Sequence, residues 1–94
     1  MIALCAIIEL MKAKHRRTLE AIFAVPTRAG IAFSDIEALV IAIDGRVGEG
    51  EGSRVVFELK GNRRYLHRPH PGKEARKYQV EELREWFRQL EVVP

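Results

Sequence analysis

Gly-Ser-Arg-Val-Val-Phe-Glu-Leu-Lys-Gly-Asn-Arg-Arg-Tyr-Leu-His-Arg-Pro-His-Pro-Gly-Lys, residues 52–73, is the stretch on which the fold of this chain turns. Val55, Phe57 and Leu59 alternate with Arg54, Val56 and Glu58, the period-two pattern of a strand with one buried face. Lys60-Gly61-Asn62 is turn chemistry, because Gly and Asn tolerate positive φ. Arg64, Tyr65, Leu66 and His67 form a second strand, which Pro69 and Pro71 stop because neither donates to a ladder. The pattern predicts a hairpin. It gathers Arg54, Arg63, Arg64, Arg68, Lys73 and two histidines on one short piece of backbone, and a hairpin this basic suits phosphate groups.

Working outward, Ser34-Asp35-Ile36-Glu37 reads as a capping box that opens a helix with Ile36, Leu39, Val40 and Ile43 facing inward. Gly45 is its expected left-handed stop. Residues 46–49 read as a short strand. The glycine-rich loop 48–52 lacks the GxxxxGK[ST] pattern, carries glutamates and is followed by no helix, so it is a hairpin loop and not a phosphate cradle. On the C-terminal side, Val80, Leu83, Phe87 and Leu90 make the buried stripe of a closing helix over 80–91, leaving Val92-Val93-Pro94 as a tail. Trp86 flanks that stripe, as core or as an anchor for a partner. An additional helix over 14–24 is indicated by Leu19, Ile22 and Phe23, and Pro26 ends it. Its start carries Lys14, His15, Arg16 and Arg17, which oppose the helix dipole.

The element order is helix, helix, strand, strand, strand, helix. The last five elements give an α+β fold of αβββα type, a three-stranded antiparallel sheet with helices on one face and the other face open. The expected division is an N-terminal extension and helix over 1–30 and the αβββα domain over 31–94. Residues 1–10 lack a charged leader and a cleavage site and are too short to span a bilayer. They are expected either to extend the start or to open a longer first helix, Met11 being the alternative start.

Gly52-Ser53 at the head of a strand, a Gly-Asn turn, and His67-Arg68-Pro69-His70-Pro71-Gly72-Lys73 before a final helix resemble the HicA toxin family. The resemblance runs from Ser34 onward and is most specific in the Arg-Pro-His-Pro-Gly-Lys run. It implies a fold like the double-stranded-RNA-binding domain, a ribonuclease acting on mRNA, and neutralisation by a HicB-like antitoxin protein. The usual family run is Gly-Ser-His or Gly-Thr-His, with that His catalytic. Arg54 stands in its place here. Arginine stays protonated in proteins, so Arg54 can hold a phosphate but cannot take a proton.

Composition sets the frame for these readings. The chain has 94 residues, 47% of them hydrophobic, and a formal charge of +3, enough for one domain with a modest core. Cys5 is the single cysteine, so no internal disulfide exists and a reducing cytoplasm is expected. The three histidines have no acidic or thiol companions at ligand spacing, so no metal site and no cofactor are expected.

Metal-free RNA cleavage needs a base for the 2′-hydroxyl proton and cations for the phosphate. With Arg54 in the family's His position, the candidate bases are His70, aimed by its flanking prolines, and His67 at the end of the third strand. Ser53, Arg54, Arg63, Arg64, Arg68 and Lys73 are the candidate RNA contacts. Three classes of function stay open at this point: an mRNA-cleaving toxin, an RNA-binding module without catalysis, and a protein–protein module using the open face or an edge strand.

Overall fold

A computed structural model describes residues 11–94, and the expectations for residues 1–10 and Cys5 lie outside the described residues. The elements are α1 (Ala13–Phe23), α2 (Phe33–Ala42), β1 (Arg46–Glu49), β2 (Arg54–Leu59), β3 (Asn62–His67) and α3 (Lys77–Gln89). The strands form an antiparallel meander in the order β1-β2-β3. This is the α+β layout that the alternation and the hairpin signal predict.

Cross-strand partners share a face of the sheet. Val55 pairs with Leu66 and Phe57 with Arg64, and Val55, Phe57, Leu59 and Leu66 are buried on the helix side. Arg54 pairs with His67, Val56 with Tyr65 and Glu58 with Arg63 on the opposite face, which no helix among the described residues covers. The helices close one continuous core. Leu19 and Ile22 of α1, Ile36, Leu39 and Val40 of α2, and Val80, Leu83 and Phe87 of α3 meet Val55 and Phe57 there. Trp86 is buried with them, its ring stacked 5.7 Å from that of Phe87, so it is core and not an exposed anchor.

Several local expectations change. Helix α2 begins at Phe33 with Ala32 as its N-cap, so the Ser34–Glu37 capping box does not form. A short ladder decides this. The Phe33 amide donates to the Lys73 carbonyl (2.9 Å) and the Ala75 amide to the Ile31 carbonyl (2.8 Å), holding Ala32 extended opposite Glu74. At the other end of α2 the left-handed residue is Asp44 (φ 69°), not Gly45. Gly45 donates to the Val40 carbonyl at 2.8 Å, and Asp44 donates to that of Ile41, the Schellman pattern. The glycine serves close approach instead: a Cβ there would lie 2.6 Å from Val40 Cγ1 and 2.9 Å from the Glu58 carbonyl oxygen.

The hairpin turn is Lys60-Gly61, both at positive φ, with Asn62 already paired to Leu59. Helix α3 starts one turn earlier than the apolar stripe suggests, at Lys77, because Gln79 Oε1 accepts the Arg76 amide (2.9 Å). It ends on a second left-handed residue, Glu91 (φ 63°), which folds Val92 back into the core, so Val92 is buried and not tail. Arg84 of α3 donates to the carbonyls of Ile22 (2.8 Å) and Ala24 (3.1 Å), satisfying the C-terminal end of α1.

Candidate functional site

The site grows from the cross-strand pair Arg54 and His67. Residues directly opposite in an antiparallel pair hold their Cβ atoms about 4.5–5.5 Å apart. Arg54 and His67 therefore stand side by side on neighbouring strands, and both border one cavity. Ser53 precedes Arg54, and its Oγ lies 3.3 Å from His67 Nδ1. In the tautomer that carries its proton on Nδ1, the ring donates to Ser53 Oγ and Nε2 keeps its lone pair.

The backbone fixes this geometry from both ends. Beyond the last strand pair, the Arg68 amide donates to the Ser53 carbonyl at 2.8 Å, extending the ladder past the site. The His67 carbonyl accepts from Gln79 Nε2 at 2.8 Å, so a buried amide of α3 ties down the end of β3. On the loop side, the Gly50 amide donates to the Arg54 carbonyl (2.8 Å). The stem of Arg54 lies against bare Gly50, where a Cβ would sit 3.1 Å from Arg54 Cβ and Cγ.

Arg54, Val56, Tyr65 and His67 border an open cavity of about 530 Å³, together with Glu49 at the end of β1 and Gly50 and Glu51 of the loop that follows. Further along the same face stands Arg63. The Tyr65 hydroxyl and then the Glu58 carboxylate beside it push its guanidinium further toward the protonated form. Arg63 Nε lies 3.3 Å from Glu58 Oε2.

The remaining candidates fall elsewhere. Arg64 points to the helix side, 3.8 Å from Glu82 of α3. Lys73 borders a different recess, with Phe33, Ser34 and Pro69. His70 is exposed in the turn after β3 and does not line the cavity that Arg54 borders. Arg68, expected as a phosphate holder, is already occupied. Its NH2 donates to Glu37 Oε2 and Glu49 Oε2 at 2.7 Å each, its NH1 to Glu49 Oε1 at 2.6 Å, and its Nε to Glu37 at 3.1 Å. The sequence reading missed this clamp, which joins α2 and β1 to the end of β3, and it missed Tyr65. Tyr65 was legible as the residue alternating with Arg63 and His67.

The clamp has a pH consequence. The Arg68 hydrogen bonds hold the Glu49 carboxyl below its usual range, against a smaller opposing effect of burial. A carboxylate with a depressed folded-state pKa stabilises the fold above its unfolded pKa, and that contribution disappears as the pH falls through the folded value. Arg68→Ala is expected to lower Tm by about 4–8 °C at pH 7. The difference from wild type should shrink in acid, below the ordinary carboxylate range, and thermal melts at the two pH values measure it. A deficit that stays constant into acid would mean that Arg68 acts through packing and not through its carboxylates.

Among the described residues there is no group of three or more His, Cys, Asp or Glu side chains able to hold a metal ion, and no helix is long and apolar enough to cross a membrane. Comparison with curated proteins and with solved structures gives no match. Comparison with protein families does. The family described as the HicA toxin of bacterial toxin–antitoxin systems matches residues 33–92, the span from the start of α2 to the buried Val92. That span is well over half of the chain and holds the sheet, both flanking helices and the Arg54–His67 pair, so the protein belongs to the HicA toxin family and is the toxin member of a toxin–antitoxin pair.

Proposed function

We propose that the open sheet face binds mRNA and cleaves it without a metal, with His67 as the general base. The observation that carries this reading is the pair itself: Arg54 faces His67 across the strands, with Ser53 Oγ in reach of Nδ1. Arg54 holds the scissile phosphate, and Arg63 holds a neighbouring one. His67 Nε2 takes the proton of the adjacent 2′-hydroxyl as its oxygen attacks phosphorus. The charge that gathers on the phosphoryl oxygens is met by the Arg54 guanidinium. The P–O5′ bond breaks, and the 5′-oxygen leaves with a proton from solvent. The products are a 2′,3′-cyclic phosphate and a 5′-hydroxyl.

This assignment moves the base from the strand position usual in the family to the opposite strand. It favours His67 over His70, which lies in the turn after β3 and does not line the cavity that Arg54 borders. The antitoxin that neutralises the protein is expected to be HicB-like and to act in the cytoplasm.

The test is cleavage of RNA by the purified protein in EDTA, with the ends of the products identified. Cyclic phosphate ends support the mechanism. No cleavage, together with salt-sensitive RNA binding, would make the protein an RNA-binding relative that lacks the chemistry. Arg54→Ala gives a second check. Removing one phosphate contact is expected to weaken binding across all RNA sequences and to reduce the slope of log K against log salt by about 1. An unchanged slope would remove Arg54 from the phosphate contacts.

A further inference from the structure

Two of the large hydrophobic side chains left exposed among the described residues are tyrosines, Tyr65 at 59% and Tyr78 at 58%. They belong to different elements, β3 and the first turn of α3. Yet both border one recess of about 140 Å³, whose remaining lining is Leu66, His67, Gln79 and Glu82. Tyr65 and His67 also border the larger cavity with Arg54. The recess therefore adjoins the position of the scissile phosphate. Among the described residues β3 is an edge of the sheet, with no further strand paired to it.

Two tyrosine rings, with Leu66 beside them, supply the apolar part of the lining. Gln79 uses both ends of its amide, accepting from the Arg76 amide and donating to the His67 carbonyl. The Glu82 carboxylate lies 3.8 Å from Arg64, and the His67 ring and the two tyrosine hydroxyls are the other polar groups of the lining. A flat π-system fits such walls. In a nucleic acid the flat surface is the face of a base, and a base face is free only where the base has left its stack. A-form duplexes present phosphates, sugars and base edges but no base faces, whereas unpaired bases splay out and stack on aromatic side chains. Tyr65 lies two residues from His67, about 7 Å along the strand, which suits a nucleotide next to the one being cut.

We propose that the Tyr65–Tyr78 recess is a base-binding subsite, and that the substrate is single-stranded RNA whose nucleotide beside the scissile phosphate turns its base out to stack there. This deepens the RNA-cleaving reading of the open face and rests on it. It also bears on the chemistry. In-line attack needs the 2′-oxygen opposite the 5′-oxygen, an arrangement that the A-form helix does not adopt and that a turned-out nucleotide can reach.

The experiment is binding of a short labelled oligoribonucleotide with 2′-methoxy groups, which blocks cleavage, alone and annealed to its complement. The proteins are wild type, Tyr65→Ala, Tyr78→Ala and the two Tyr→Phe variants. Both side chains are exposed, so the substitutions leave the core intact. The single strand is expected to bind at least ten-fold more tightly than the duplex at equal salt. Each alanine variant should weaken single-strand binding roughly ten-fold and leave duplex binding unchanged, while the phenylalanine variants stay close to wild type.

Equal binding of the two forms, or alanine variants that bind the single strand as wild type does, would overturn the subsite and leave the phosphate reading of the open face standing. Alanine variants that keep RNA binding but lose the antitoxin would reassign the tyrosines to a protein contact and overturn the subsite too. Binding of neither form at low salt would remove the RNA reading and the subsite together.

Discussion

His67→Ala is expected to lower RNA cleavage in EDTA by about 10²- to 10⁴-fold, the usual contribution of a positioned general base, while RNA binding changes little. The substitution is structurally mild. His67 is exposed, and what anchors the end of β3 is its backbone carbonyl, which accepts from Gln79 whatever the side chain. His70→Ala, purified alongside, should cleave as wild type does. A sharper version exploits the cross-strand register. Arg54→His combined with His67→Arg exchanges the two groups and restores Gly-Ser-His on β2. It should keep cleavage within about ten-fold of wild type, because the pair occupies the same patch of sheet in either order. Wild-type cleavage by His67→Ala would place the base elsewhere.

Phe57→Ala should be the most damaging single change to stability, at about 3–5 kcal/mol. Phe57 is fully buried on the central strand, and its ring lies 5.8 Å from that of Phe33 at the start of α2. Removing it opens a cavity where sheet and helices meet. A domain of this size holds only about 5–15 kcal/mol in total. The variant should therefore unfold at much lower urea with a similar m-value, by circular dichroism. A loss below about 1.5 kcal/mol would mean that the core collapses around the gap.

The strands were legible because their signal is local. The alternation of Val55, Phe57 and Leu59 states which face is buried, and the register then follows from the tight turn at Lys60-Gly61. The helix starts were misread where a distant segment decides them. Ser34 is a good capping residue, but the bonds from 31–33 to 73–75 move the start of α2 to Phe33. The same holds in the site. Nothing near Arg68 in sequence reveals that Glu37 and Glu49 converge on it, since each lies on another element. His67 was recognisable as a candidate by its chemistry, but its standing across from Arg54 becomes visible only once the hairpin register is known.

Arg84 carries a consequence for how the molecule comes apart. It belongs to the family span, yet two of its hydrogen bonds end on Ile22 of α1 and on Ala24, which caps that helix, outside residues 33–92. Opening α1 alone would strand a half-buried guanidinium and expose Leu19 and Ile22 to water. Either element therefore loses its partner when the other lets go. Amide hydrogens in the middle of α1 should exchange through the same global opening that exposes those of α3, which makes the first helix part of one cooperative folding unit with the toxin core.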